Sequence, residues 1–179
     1  MFCTAEIKKY ITRISQIILS IALIIFVASC SGSRSSDARK GEVKLTLIAD
    51  KDINPNERGQ PAPLNLFVYN VKVADVFNNG DFFEITEGNN KQIQDASSKV
   101  YEAILQPGES RTIKVKPDSD TKALGFVGAY RDIQNSAWVI TWDLPERKKV
   151  SWWKRIFNDD PIALNVHFQK AAITIKKMG

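Results

Sequence analysis

Side chains able to do chemistry are few in this chain, and their placement decides much of what it is not. The single histidine, His167, stands in the run Leu164-Asn165-Val166-His167-Phe168. Period-two alternation puts it with Asn165 on one face of a strand, opposite Leu164, Val166 and Phe168. Nucleophilic catalysis needs a serine or cysteine beside a base, and zinc wants further histidine or cysteine ligands. Beyond His167 the chain offers only Cys3 and Cys30. Carboxylates are the remaining option. Asp50, Asp52, Asn54, Asn56 and Glu57 crowd one loop in the manner of a calcium site. That spacing lacks the central glycine and terminal glutamate of a calcium loop, and Lys51 and Arg58 sit among the acids. Asp159 and Asp160 precede Pro161 and open a strand after a turn. These residues describe a protein that is not an enzyme and needs no metal or cofactor.

Cys30 is informative for what stands before it. Residues 17–27 are almost wholly apolar, follow Lys8, Lys9 and Arg13, and lead into Val27-Ala28-Ser29-Cys30. A positive segment, a short apolar run and small residues before a cut describe a secretory signal. The apolar run is also short of the roughly 20 residues that a spanning helix needs. A cysteine directly after the small residues resembles the lipobox of bacterial lipoproteins. That resemblance implies cleavage before Cys30, acylation of its thiol and new amino group, and a stable multi-chain anchor. Two plainer readings are an uncleaved membrane helix and an ordinary signal with an incidental cysteine. Ser31, rather than an aspartate, follows Cys30. Under the bacterial sorting rule this implies an outer-membrane lipoprotein facing the periplasm.

The organisation that follows is a signal over 1–29, a lipidated cysteine and tether over 30–41, and one domain over 42–179. Removing 1–29 leaves 150 residues, enough for a single core. The signal carries Lys8, Lys9, Arg13 and Glu6, so its loss lowers the net charge from +5 to +3. That mild basicity gives no argument for nucleic acid. Cys3 leaves with the signal, so no disulfide is available and packing must supply the stability. The tether, Ser-Gly-Ser-Arg-Ser-Ser-Asp-Ala-Arg-Lys-Gly, has no apolar side chain large enough to pack. Its typical span is roughly 18 Å and its full reach roughly 35–40 Å.

Period-two alternation dominates the domain. Strands are expected over 43–47, 64–69, 100–105, 112–116, 124–130, 138–142, 162–168 and 172–176. Pro107-Gly108 suggests a hairpin between the third and fourth, and Gln169-Lys170 a tight hairpin between the last two. Residues 74–85 place Val76, Phe77, Phe82 and Ile85 at helical spacing, with Asp75 near the start. They form one short helix, or two turns broken at Asn78-Asn79-Gly80. The expected fold is all-β: a two-sheet antiparallel β-sandwich of about eight strands with a short helical excursion.

Two segments have the composition of recognition surface. One is the loop of Asp50, Lys51, Asp52, Ile53, Asn54, Pro55, Asn56, Glu57, Arg58, Gly59, Gln60, Pro61, Ala62 and Pro63. Its prolines limit the conformations lost on binding, and long loops in compact domains tend to carry function. A plain solvated connection is the alternative. The other is Trp152-Trp153-Lys154-Arg155-Ile156-Phe157 behind Lys148-Lys149. Trp152 and Trp153 suit a lipid interface or a partner's hot spot, and equally a flap capping the sandwich.

At these residues the sequence resembles the TssJ family (also called SciN or VasD), the outer-membrane lipoproteins of type VI secretion systems. The resemblance rests on Asn54-Pro55-Asn56 with Gly59, Pro61 and Pro63, then Leu66-Phe67-Val68-Tyr69. It continues through Phe77, Asp81-Phe82, Leu105-Gln106-Pro107-Gly108-Glu109, Ala129-Tyr130-Arg131-Asp132 and Trp138. Together the pieces cover nearly the whole chain after Cys30, and residues 152–157 match nothing in the pattern. The resemblance implies a transthyretin-like sandwich with an added helix. It also implies a partner, the periplasmic C-terminal region of TssM and through it TssL, contacted by the loop between the first two strands. A periplasmic lipoprotein that binds a small ligand or polymer, with the tryptophans as a stacking platform, is the competing function.

Overall fold

The computed structural model describes residues 41–145 and 162–178. Cys30, the signal, the tether up to residue 40, and Trp152 and Trp153 lie outside the described residues. Among the described residues no helix is long and apolar enough to cross a membrane.

Among the described residues eight strands form in chain order: β1 (Val43–Ala49), β2 (Leu64–Val71), β3 (Ser97–Leu105), β4 (Ser110–Val115), β5 (Ala123–Gly128), β6 (Val139–Asp143), β7 (Ile162–Phe168) and β8 (Ile173–Lys177). They make two four-stranded sheets, ordered β4-β1-β7-β8 and β3-β2-β5-β6. Neighbours are antiparallel except β1 and β7, which run parallel from Val43↔Ile162 to Ala49↔Phe168. Alternation sets which way each strand faces. In β1, Val43, Leu45, Leu47 and Ala49 are buried while Lys44 is exposed. These residues meet Leu66, Val68, Leu124, Phe126, Leu164, Val166 and Phe168 in one core between the sheets.

A second core explains why β5 is continuously apolar. The outer faces of β2 and β5 present Phe67, Tyr69, Val71, Ala123 and Val127 to Phe77, Ile85 and Ile93. Those three come from short helices α1 (Ala74–Asn78), α2 (Phe82–Glu87) and α3 (Lys91–Ala96). A strand covered on both faces loses its polar alternation. The broken form of the helical excursion is the one that occurs. Asp81 caps α2 by accepting from Phe83 N–H while Glu84 reaches back to the Asp81 N–H. A new helix therefore begins just after Gly80. The third helix was not expected; Asn90 caps it.

The expected β3–β4 hairpin does not form. β3 pairs with β2 and β4 with β1, so the Pro107-Gly108 turn carries the chain from one sheet to the other. Glu109 N–H donates to Gln106 O at 2.9 Å, and Gly108 takes φ +78°. Proline followed by a positive-φ glycine is the pattern of a type II turn, whose twist splays its flanking strands instead of pairing them. The β7–β8 hairpin does form. Its loop is four residues, because Phe168 pairs with Ile173 and Gln169 N–H donates to Ala172 O.

The sandwich has two distinct ends. Gly41 leads into β1 at one of them, where β7 also begins and β4 and β8 finish. The 50–63 loop, the 106–109 turn, the 129–138 connection and the 169–172 turn gather at the other. The 7 residues of β1 separate the ends by about 20 Å.

Candidate functional site

The 50–63 loop is built, not slack. Asp50 N–H donates to Phe168 O at 2.9 Å, Asn54 N–H to Lys170 O at 3.2 Å, and Ala62 N–H to Ile53 O at 3.1 Å. The side chain of Ile53 is completely buried in the main core. Gly108 N–H donates to Asp50 O, so the inter-sheet turn braces the root of the loop. Asn54 is the centre of this arrangement. It is buried and takes φ +47°, a conformation that asparagine tolerates better than most residues. Its Nδ2 donates to Pro63 O at 2.7 Å, and its Oδ1 accepts the Arg131 backbone N–H at 2.8 Å. One side chain thus closes the loop on itself and ties it to the chain leaving β5.

The tip is organised separately. Asn56 Oδ1 accepts the N–H groups of Arg58 at 2.9 Å and Gln60 at 3.0 Å. Asn56 N–H donates to Gln60 O, and Gly59 N–H to Asn56 O, each at 2.8 Å. This is a self-closed asparagine turn. It leaves Glu57, Arg58, Gly59 and Gln60 exposed. Beside the tip is an open cleft lined, among the described residues, by Pro55, Asn56, Glu57, Arg58, Arg131 and Asp132. Both signs of charge line it, which suits a polar protein surface better than an apolar small molecule. Asp132 is held by Asn135 Nδ2, at 2.9 Å to one carboxylate oxygen and 3.1 Å to the other.

Of the fourteen loop residues singled out in the sequence, Ile53, Asn54 and Ala62 are buried and position the others. Lys51, Asp52, Glu57, Arg58, Gly59, Gln60, Pro61 and Pro63 are exposed. Sequence reasoning missed Arg131 and Asp132 as members of this surface. Their signal was present in the run Ala129-Tyr130-Arg131-Asp132, but nothing local says that it folds against a loop far upstream. Tyr130 fixes the run by donating its hydroxyl to Ala172 O at 2.8 Å. Burial first, and the Asp50 charge second, raise its hydroxyl well above the usual tyrosine range. His167, expected on a strand face with Asn165, sits half-exposed there with Nδ1 3.7 Å from Asp50 Oδ1. The described residues hold no cluster of three or more metal-ligating side chains.

Several of the sequence fragments that carried the family resemblance therefore converge at this end: Asn54-Pro55-Asn56, Pro63, the 106–109 turn and Tyr130-Arg131. Comparison with known proteins agrees. Residues 41–171 match the family of type VI secretion lipoproteins described as VasD, EvfM and TssJ. The T6SS lipoprotein TssJ1 from Pseudomonas aeruginosa shares 30% identity and a TM-score of 0.66, over 77% of this chain and 96% of that one. Lip from Serratia marcescens, a membrane-bound component of the Type VI Secretion System, shares 20% identity over 78% and 100%, with a TM-score of 0.68. A chain in the structure of the T6SS protein TssM C-terminal domain from EAEC shares 20% over 75% and 99%, with a TM-score of 0.57. These last two likenesses are of fold. No curated protein sequence matches the chain.

Proposed function

The chain belongs to the TssJ family of type VI secretion lipoproteins, and from that premise we propose that it ties the outer membrane to the periplasmic C-terminal region of TssM, and through it to TssL. Acyl chains on Cys30 are the membrane end of this link, and the 50–63 loop with Arg131 and Asp132 is the partner end. The link is mechanical and uses no catalytic group or cofactor.

One observation carries the reading. The tip at Asn56–Gln60 is braced at the end of the sandwich opposite the one where Gly41 enters β1. A domain tethered by its N-terminus would then present the loop away from the bilayer, toward a partner rooted in the inner membrane. The bracing also lowers the ordering cost of binding.

Deleting residues 56–60 while keeping Asn54 and Pro63 tests the partner end. The shortened protein should fold, lose co-purification with the TssM periplasmic region, and abolish secretion. Normal secretion with retained TssM binding would remove the loop from the mechanism. Cys30→Ser tests the other end. It should leave the protein out of outer-membrane fractions and unlabelled by palmitate, and persistent labelling would refute the anchor. Capture of a polymer or small ligand, with no TssM binding by the intact protein, would favour the competing function.

A further inference from the structure

Among the described residues no helix covers the outer face of the β4-β1-β7-β8 sheet, and its charge is concentrated where the chain enters. Lys44 on β1 and Lys114 on β4 are directly paired across the strands. Both are exposed, and their side chains leave the same face. The next row along the strands reads Thr112, Thr46, Asn165 and Lys176 from β4 to β8. Lys176 is exposed as well. Like charges directly opposite one another destabilise a sheet. Glu42 offsets only part of this, through a 3.0 Å ion pair with Lys114. Among the described residues Lys44 and Lys176 make no ion pair, and the two rows contain no carboxylate. Asp50 lies at the far end of the sheet, 3.7 Å from His167.

We infer that this lysine-bearing corner rests on the anionic headgroups of the bilayer that holds the anchor. The inference depends on the reading that Cys30 is acylated. Three facts favour lipid over protein as the occupant. The corner lies at the end where residue 41 leads into β1, so an acylated Cys30 would be joined to the sandwich beside it. It lies about 20 Å from the partner loop, along the length of β1. Its chemistry is cationic, with the hydroxyl and amide groups of Thr46, Thr112 and Asn165 between the lysines, and that chemistry complements phosphodiester headgroups. The contact would fix which way the domain faces, where a tether alone would let it tumble.

The test uses the mature lipidated protein on vesicles of phosphatidylcholine, with and without phosphatidylglycerol. Residue-resolved acetylation of lysines is the readout. On the anionic vesicles Lys44, Lys114 and Lys176 should react about fivefold more slowly, the factor matching roughly 1 kcal/mol per lysine at an anionic surface. Lys51 and Lys170, at the opposite end, should be unchanged. High salt should erase the difference. In the variant Lys44→Glu with Lys114→Glu, Lys176 should react on anionic vesicles as fast as on neutral ones. Equal rates on both vesicles would overturn the inference, as would protection of Lys176 that survives the double substitution. Slowing that appears only on adding the TssM periplasmic region would reassign the corner to protein. Failure to float with neutral vesicles would instead count against the anchor, and the anionic vesicles would still decide the lysines.

Discussion

Asn54 and Arg131 lie 77 positions apart and are joined by a 2.8 Å hydrogen bond from the Arg131 backbone N–H to Asn54 Oδ1. The same side chain donates from Nδ2 to Pro63 O. A buried amide with both ends bonded leaves little play between the β1–β2 loop and the β5–β6 connection. They move as one surface, so exposed side chains from either segment are presented in a fixed relation.

Replacing Asn54 separates conformation from bonding. Asn54→Ala loses both bonds and places a methyl in a left-handed backbone, at a cost of about 2–4 kcal/mol in urea denaturation. Asn54→Gly loses the same bonds without the backbone strain and should cost about 1 kcal/mol less. Equal losses would mean that the backbone relaxes out of the left-handed region.

Gly125 provides the test of the second core. A Cβ there would lie 2.6 Å from Phe77 Cε1 and 2.9 Å from Val71 Cγ2. Gly125→Ala should destabilise by about 1–3 kcal/mol by pushing α1 off the sheet. Combined with Phe77→Leu, the loss should fall short of the sum by at least about 1 kcal/mol. Strict additivity in the double-mutant cycle would show that the ring does not press on the glycine.

The two layers were legible because β1 and β7 keep one buried face, and Val43, Leu45 and Leu47 announce it. Their parallel pairing was not legible. Residues 43 and 162 meet only through the whole intervening fold, and alternation carries no strand direction. The Pro107-Gly108 turn misled for a related reason: the dipeptide marks a reversal but does not say whether it joins two strands of one sheet. α3 escaped because its 6 residues bury only Ile93 and Ala96, too few for a period. The loop was legible by composition. Its division into buried supports and an exposed tip was not, since Ile53 and Asn54 look no different from their neighbours until the core and Arg131 are placed.

Alkaline pH should loosen the helical cap. The Tyr69 hydroxyl donates to Ile85 O at 3.1 Å. Burial, and secondarily the Glu102 charge, push its pKa from 10.0 up to about 12. The folded value is the higher one, so the unfolded chain ionises first. Stability is therefore full below pH 10 and declines as pH rises from there toward 12. Tyr69→Phe should cost about 1 kcal/mol at neutral pH through the lost bond, yet flatten that decline. An unchanged slope in the variant would assign the alkaline loss to other groups, Tyr130 first among them.

Asn56 distinguishes recognition from folding, because its bonds stay within the tip. Asn56 Oδ1 holds the N–H groups of Arg58 and Gln60, while the loop root is fixed independently by Asn54, Ile53 and Ala62. Asn56→Ala should therefore leave the midpoint of unfolding within about 0.5–1 kcal/mol of the parent, since exposed hydrogen bonds contribute little net. On the proposed function, binding to the TssM region would bear the extra cost of ordering a loosened turn, about 0.5–1.5 kcal/mol for each group immobilised. The dissociation constant should rise roughly tenfold, with most of the change in the association step if the ordered tip is what the partner selects. Asn56→Asp keeps the acceptor and should stay close to the parent in both measurements. If Asn56→Ala bound TssM normally, the tip's shape would not be what the partner recognises, and the adjoining Arg131–Asp132 surface would become the primary contact.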